Sequence, residues 1–285
     1  MKKKPNHHSP ISPVSLAEAE IEAFRATVYA VAHTSPRVLP WRETADPYRI
    51  MVSEIMLQQT QVDRVTAKFV EFVGRFPDVA VLASSELADV LTVWQGLGYN
   101  RRALALKRAA EAIVAHFGGI VPATRKELES LPGIGPYTAG AILAFAYDRP
   151  AVFIETNIRS VFIHHFFHDR DRIHDRDLLP LVDMTMDRSR PRAWYNALMD
   201  YGVVLKREHP NPSRKSLHHL RQSAFEGSNR QQRSALLKMV LAHPGLSADA
   251  VASRVTGAHE NIARNLAQME QEGLIVRKRG KYFVA

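Results

Sequence analysis

The sequence predicts an all-α core followed by a small winged helix-turn-helix domain, and three observations carry that expectation. Over roughly the first two hundred residues, apolar side chains recur at helical spacing and short alternating runs are scarce. The helical patterns are short and separated by glycine or proline, as in a core of many small helices whose polar faces stay wet. From Asn229 onward the chain reads as three helices and then two short strands about a basic turn, the order of a winged helix-turn-helix domain.

Residues 1–15 hold three lysines, two histidines and three prolines without a period, and read as a disordered basic tail. Over residues 16–32, Ile21, Phe24, Val28 and Val31 share a helix face, and Ser35-Pro36 closes that helix. Asp46-Pro47 supplies an N-cap acid and a proline at the first helical position. The helix they open is expected to be long, with Met51, Ile55, Val62, Val65, Phe69, Phe72 and Phe76 on one stripe. Shorter helices are expected over 87–94, 102–117, 125–130 and 137–147. Residues 211–229 are rich in Pro, Ser, Arg and His without a clear period and suit a linker. Helices are then expected over 231–242, 247–255 and 258–272, with two strands around the basic turn 277–281.

With 285 residues, the chain has room for one large or two modest domains, each with its own core. Hydrophobic residues make up 46% and charged ones 24%, which argues against wholesale disorder and against a membrane protein. No stretch approaches the run of about eighteen apolar residues that a spanning helix needs. The basic start MKKKPNHHSP is not followed by an apolar core and so is no signal peptide, giving a cytoplasmic expectation. Cysteine is absent, which excludes disulfides, thiolate metal sites, cysteine nucleophiles and any iron–sulfur cluster held by thiolates. The formal charge of +9 suits a protein that meets polyanions, a weak signal by itself.

The segment Leu131-Pro-Gly-Ile-Gly-Pro-Tyr-Thr-Ala-Gly140 joins two helical patterns through two glycines and two prolines. Gly133 and Gly135 permit a tight turn, which would leave the amides of the next helix start, including that of Thr138, aimed outward at a phosphate. Taken alone, the decapeptide reads either as an ordinary helix–helix turn or as a sequence-independent DNA clamp.

Three blocks in one order extend the pattern: Leu39-Pro-Trp-Arg42 with Asp46-Pro-Tyr48, then Ser53-Glu-Ile-Met-Leu-Gln-Gln-Thr-Gln61, then the 131–140 hairpin. Gln95-Gly-Leu-Gly-Tyr99 and Ala197-Leu-Met-Asp-Tyr-Gly202 add to it. With these blocks the chain, over about residues 16–222, resembles the helix-hairpin-helix (HhH-GPD) DNA glycosylases of base-excision repair, and among them the adenine-DNA glycosylases of the MutY type. The 53–61 block is specific for that adenine branch. The resemblance implies a two-lobed helical glycosylase core over 16–222, with a lobe of about 48–145 inserted between 16–47 and 146–222. A linker, 223–228, and the winged helix-turn-helix domain, 229–285, follow it.

Cleaving a deoxyadenosine N-glycosidic bond requires protonating the base at N7 while stabilising positive charge that grows on the sugar. Glu54 lies beside the apolar stripe, with Met51 and Leu57 three residues to either side, a setting that removes water and helps hold a proton near neutral pH. The resemblance assigns it the general-acid role. In the family an aspartate follows an apolar run and precedes a small residue and an asparagine. Here Ala151-Val-Phe-Ile-Glu-Thr-Asn-Ile158 puts Glu155 at that place, and Asn157 matches the asparagine. The extra methylene moves the carboxylate by on the order of an ångström, which can cost about a hundredfold in rate. Glu155 is either a working carboxylate, the preferred reading, or only a cap on a helix beginning near Thr156.

Tyr137 stands where bifunctional relatives carry their Schiff-base lysine, so the resemblance implies hydrolysis without strand cleavage. It also makes Gln59 the wedge that fills the gap left by an extruded base, and Trp41, Leu57 and Asp200 parts of the base pocket. Many relatives hold a four-iron cluster with cysteines in the order C-x6-C-x2-C-x5-C. That spacing projects here onto Lys206, Ser213, Ser216 and Gln222, so no cofactor is expected. His164, His165, His209, His218 and His219 have no ligand-like spacing and are expected at the surface or facing phosphate.

The family's Nudix-like C-terminal module has no room in the remaining residues. The winged helix in its place carries nine Lys or Arg against four Asp or Glu, and Arg277, Lys278, Arg279 and Lys281 would contact the DNA backbone without naming a base. Protein docking is the other reading of this domain. The expectation is therefore a monomeric, nucleoid-associated, monofunctional glycosylase acting on double-stranded DNA, which removes adenine mispaired with 8-oxoguanine or guanine. The alternatives are a glycosylase for mismatched T or U or for an alkylated or hypermodified base, and a DNA-binding regulator derived from a glycosylase.

Overall fold

The computed structural model describes residues 15–219, 224–256 and 259–285; of the basic tail, only Ser15 lies within them. Helices α1 Glu18–Thr34, α2 Pro47–Leu57, α3 Val62–Arg75, α4 Val79–Ser84 and α5 Leu87–Trp94 come first. Then follow α6 Arg101–Phe117, α7 Arg125–Glu129, α8 Pro136–Tyr147, α9 Thr156–Phe166, α10 Asp175–Thr185 and α11 Pro191–Glu208. The C-terminal part adds α12 Asn229–Ala242, β1 Leu246–Ser247, α13 Ala248–Ala252, α14 His259–Gln271, β2 Ile275–Lys278 and β3 Lys281–Val284. Short 3-10 turns cover Pro40–Arg42 and Pro212–Lys215. None of the described helices is long and apolar enough to cross a membrane.

The chain divides into two compact units, residues 1–37 with 148–220 and residues 38–147 with 221–285. In the first, α1 and α9–α11 close around aromatic edges. The Phe24 ring lies 5.3 Å from that of Phe162 and 6.0 Å from that of Trp194, both edge-on, a geometry aromatic quadrupoles favour. Helices α9 and α11 touch at Gly202, where an added Cβ would sit 2.5 Å from the Asn157 Cβ and 2.6 Å from the Asn157 carbonyl oxygen. Only hydrogen fits there, so Gly202 sets the approach of these two helices.

In the second unit α2 is surrounded. Tyr48, Ile50, Met51, Val52, Ile55 and Met56 are all buried, as are Ser53 and Glu54, and α3, α6 and α8 pack on it. Asp46 caps α2 as expected, its Oδ1 accepting from the Tyr48 amide at 2.9 Å. The single long helix expected from Pro47 is instead two. The stripe from Met51 to Phe76 runs through both halves, which hid the break from the periodicity. After Leu57 the chain turns at Gln59, whose φ is +56°. The carbonyls this turn frees are taken by Arg102, which donates to Ile55 O at 2.8 Å, Met56 O at 2.9 Å and Gln58 O at 2.5 Å. A half-buried guanidinium thus ends α2 by occupying the acceptors at its negative pole.

Two other expectations change. Residues 211–229 are not a plain linker: Pro212–Lys215 forms a 3-10 turn and Ser216 bridges to Ile173, while 220–223 lie outside the described residues. The winged helix expected over 229–285 has its three helices and a three-stranded antiparallel sheet in the order β1-β3-β2, and it belongs to the same unit as 38–147. It is seated on α6 at Gly273, where an added Cβ would lie 2.8 Å from an Arg108 terminal nitrogen. Asn265, buried at its centre, is satisfied by Asn229 Oδ1 at 2.6 Å and Gln232 Oε1 at 2.7 Å.

Candidate active site

Glu54 sits in the interior of α2 with only 3% of its surface exposed. A carboxyl in mid-helix has no helix terminus to answer it, and here a side chain from α8 does: the Tyr137 hydroxyl donates to Glu54 Oε2 at 2.8 Å. One turn along α2, Gln58 Nε2 donates to Thr138 Oγ1 at 3.2 Å. The structure therefore brings together the 53–61 block and the 131–140 hairpin, two motifs far apart in the chain.

The hairpin itself depends on Gly133, which has a φ of +77° and whose added Cβ would lie 2.7 Å from the Ala105 Cβ of α6. Gly135 is different. It has no positive φ and open space around it, and its carbonyl accepts the first helical bond of α8, from Ala139 at 2.9 Å. The first-turn amides of α8 are those a helix cannot satisfy internally. Thr138, expected among the backbone-gripping residues, turns its hydroxyl inward to Gln58 and is buried. Gln59 is exposed at the α2 turn, and Leu57 is half-buried. Trp41 is buried edge-on against Phe69 at 5.6 Å, so much of its surface serves packing.

Arg102 was not singled out by sequence reasoning. Beyond ending α2, it donates to Thr60 Oγ1 at 2.9 Å, Gly98 O at 3.1 Å and Leu97 O at 3.3 Å, fixing the Gln58–Thr60 turn and the 97–98 loop together. Burial pulls its guanidinium down to about 10. Its only sequence signal is its place directly after the Gln95–Tyr99 block, and nothing there separates it from Arg101.

The second acid belongs to the other unit. Glu155 is the N-cap of α9: Oε1 accepts from the Asn157 amide at 2.6 Å and the Ile158 amide at 2.9 Å, and Oε2 accepts from Asn157 Nδ2 at 3.2 Å. The capping geometry is thus present, and Glu155 remains half-buried. Asn157 is held from its far side by Lys206, whose Nζ donates to Asn157 Oδ1 at 2.7 Å. This contact requires the close approach at Gly202, one turn earlier on α11. Burial lowers the Lys206 ammonium from its ordinary range, Glu155 opposes that shift, and Arg159 and Arg37 add to it. Asp200, assigned by resemblance to the base pocket, is buried and accepts from Arg37 Nε at 2.5 Å in an ion pair.

The positions where relatives carry cluster cysteines do not fit thiolate-held iron. Lys206 is engaged with Asn157, the Ser213 hydroxyl donates to Asn211 Oδ1 at 2.8 Å, and Ser216 Oγ accepts from the His218 amide at 3.0 Å; Gln222 lies outside the described residues. No group of three or more His, Asp or Glu placed to hold a metal forms among the described residues. His165 departs from the surface expectation: it is half-buried, packs edge-on against Phe24 at 5.0 Å and meets the Tyr201 hydroxyl at 2.7 Å. Arg277, Lys278, Arg279 and Lys281 are all exposed around the β2–β3 turn.

Comparison with known proteins agrees with this arrangement. Residues 52–190 match the HhH-GPD superfamily of base excision DNA repair proteins. The chain is 35% identical over 177 residues to an adenine DNA glycosylase of Buchnera aphidicola subsp. Baizongia pistaciae, an alignment covering 61% of this chain and 50% of that protein. It is 44% identical over 128 residues to one of Mycobacterium tuberculosis, covering 45% and 42%. With the Rattus norvegicus protein of the same name it shares 33% over 222 residues, covering 69% and 41%. The chain thus spans half or less of the length of these relatives. Among solved structures, a thermostable thymine-DNA glycosylase superimposes with a TM-score of 0.58 at 25% identity, covering 65% of this chain and 86% of that one. An endonuclease III–DNA covalent intermediate does so with a TM-score of 0.53 at 17% identity, covering 69% and 89%, a likeness of fold alone. The hairpin, the buried glutamate beside it and these likenesses converge on residues 52–190, which match the HhH-GPD model of base excision DNA repair proteins and are shared with relatives named adenine DNA glycosylase.

Proposed function

We propose that this protein is a monofunctional DNA N-glycosylase that hydrolyses the bond between deoxyribose and a flipped adenine mispaired with 8-oxoguanine or guanine. The observation that carries the reading is Glu54, a carboxyl buried in the helix of the adenine-type motif and hydrogen-bonded to the hairpin residue Tyr137. Burial favours the neutral acid. With its proton on Oε1, Glu54 keeps the Tyr137 bond at Oε2 and donates to N7 of adenine. The N9–C1′ bond then breaks with its electrons leaving on the base, and a water oxygen adds to C1′ and gives up a proton to a carboxylate, leaving an abasic site. Glu155, with Asn157, stabilises the positive sugar and directs the water. Tyr137 is a phenol and forms no imine, so strand cleavage is not part of the reaction.

The first-turn amides of α8 grip a phosphate, Gln59 fills the vacated stack, and Trp41 and Leu57 border the base. No iron–sulfur cluster takes part, and the protein works as a cytoplasmic, nucleoid-associated monomer. The 25% identity to a thymine-DNA glycosylase structure supports a second reading, excision of thymine opposite guanine. Duplexes carrying A opposite 8-oxoguanine, A opposite G, T opposite G and U opposite G, incubated with the protein and then cleaved with alkali, separate the two. Strand breaks at adenine are expected. Release of T or U with adenine untouched rejects the adenine reading.

A further inference from the structure

The C-terminal winged helix has no part in the chemistry above, yet two of its surfaces share one character. Along α14 the inward positions are Ile262, Asn265, Leu266 and Met269, while Asn261, Arg264 and Gln268 form an exposed stripe on the opposite face. Side chains of this kind read base edges when a recognition helix enters a major groove: Arg pairs with guanine, Asn and Gln with adenine. The β2–β3 hairpin next to it carries four exposed cations, and none of them makes an ion pair among the described residues.

The turn that ends this hairpin is unusual. Arg279 has a φ of +50° and Gly280 one of +76°, the two-residue turn in which both central residues are left-handed. Asparagine or glycine adopts the first of these positions with less strain than arginine. A chain that accepts strain to place a guanidinium at its outermost point has a use for the charge there.

The seating of the domain gives it a place. Arg230 of α12 stacks over the Tyr99 ring at 5.7 Å and donates to its hydroxyl at 3.1 Å. Tyr99 also lies against Arg102, 5.5 Å from its ring, and Arg102 holds the turn that presents Gln59. One polar chain therefore links the winged helix to the segment assigned to the base stack.

We propose that the winged helix is a second duplex-DNA grip, in which the Asn261–Arg264–Gln268 face of α14 enters the major groove and the Arg277–Lys281 hairpin lies on the phosphate backbone. It anchors the enzyme on DNA flanking the target pair. The inference rests on the glycosylase reading for its context, but not for its test. Glu260, exposed in the first turn of α14, is the acid nearest this face in sequence and keeps the grip from being uniformly basic.

The test uses the full chain, an undamaged duplex and the same duplex with adenine opposite 8-oxoguanine. Arg279→Asn relaxes the turn while removing the charge, so it folds at least as well. Combined with Arg277→Gln and Lys281→Gln, it is expected to weaken binding of the undamaged duplex about tenfold or more near physiological salt, and to reduce the slope of log Kd against log salt by about two to three. Arg264→Gln, which faces base edges rather than phosphates, weakens that binding about tenfold or more with little change of slope. Unchanged affinity and slope in both variants overturn the proposal and assign the domain to protein docking. Absent excision with the expected salt response would fail the glycosylase reading and leave this one standing.

Discussion

The two acids that stand in the motif blocks, Glu54 in one unit and Glu155 in the other, are held in opposite ways. Glu54 is in mid-helix, removed from water and answered by a tyrosine, a setting in which the neutral acid is favoured by desolvation. Glu155 is at a helix start, half-buried and held by two amides and a carboxamide. The same side chain is thus isolated inside a helix in one unit and tied to a helix start in the other, and backbone context decides which. A helix interior offers no free amides to a carboxylate; a helix N-terminus offers several.

The comparison is broken most directly at Glu54. Glu54→Gln keeps shape and the Tyr137 contact but holds no transferable proton, so excision in a single-turnover assay is expected to fall about a thousandfold or more while duplex binding is retained. Turnover within a few-fold of wild type removes the general-acid assignment.

Changes at Glu155 separate cap from chemistry. Glu155→Ala loses both, and is expected to reduce excision about a hundredfold and stability by about 1 kcal/mol. Glu155→Asp keeps a good N-cap, so its melting temperature stays near wild type and its excision rate isolates carboxylate position. Because the longer acid here already makes three hydrogen bonds, a loss of up to about a hundredfold is expected. Faster excision would show instead that the methylene detunes the site.

Lys206 reaches Glu155 by its charge and, through a hydrogen bond, by way of Asn157. Its Nζ requires Asn157 to present Oδ1, which turns Nδ2 toward Glu155. Lys206→Met should lower the single-turnover rate about tenfold without changing duplex affinity, and Lys206→Arg should restore most of it. Equal loss in both variants would indicate packing rather than orientation.

The smallest effect concerns stability on α9. Burial, with a lesser push from His164, pulls His165 down to about 4. Above the ordinary histidine range both folded and unfolded states carry it neutral. As pH falls from about 6.5 toward 4 the unfolded state takes up the proton first, so this residue should cost on the order of 2 kcal/mol of stability across that window. His165→Gln keeps a partner for the Tyr201 hydroxyl and should flatten this part of the stability–pH curve, as followed by thermal melts. A curve parallel to wild type would place the acid sensitivity elsewhere.

Much of this was readable from residue order. Helical periodicity located α1, α5, α6, α7, α8 and the helices of the winged domain to within a few residues, because amphipathic stripes and their Gly and Pro stops are local signals. The short α4, capped by Asp78 at the Val81 amide at 2.8 Å, was passed over because six residues cannot display a period. The break between α2 and α3 was invisible for a different reason. The stripe was continuous, and the group that ends α2 is an arginine some forty residues on in the chain.

Chemical identity along the chain was enough to establish which acids, glycines and aromatic residues stand in the motif blocks, and that no thiolate exists to bind iron. What each of them touches had to wait for the fold. Whether Glu54 is dry, whether Glu155 is capped and whether Thr138 looks in or out depend on neighbours from other helices. Arg102, Lys206 and Gly202 gained their roles solely through packing. Burial and hydrogen-bond partnership are properties of pairs of segments, and residue order constrains a pair only after the helices have met.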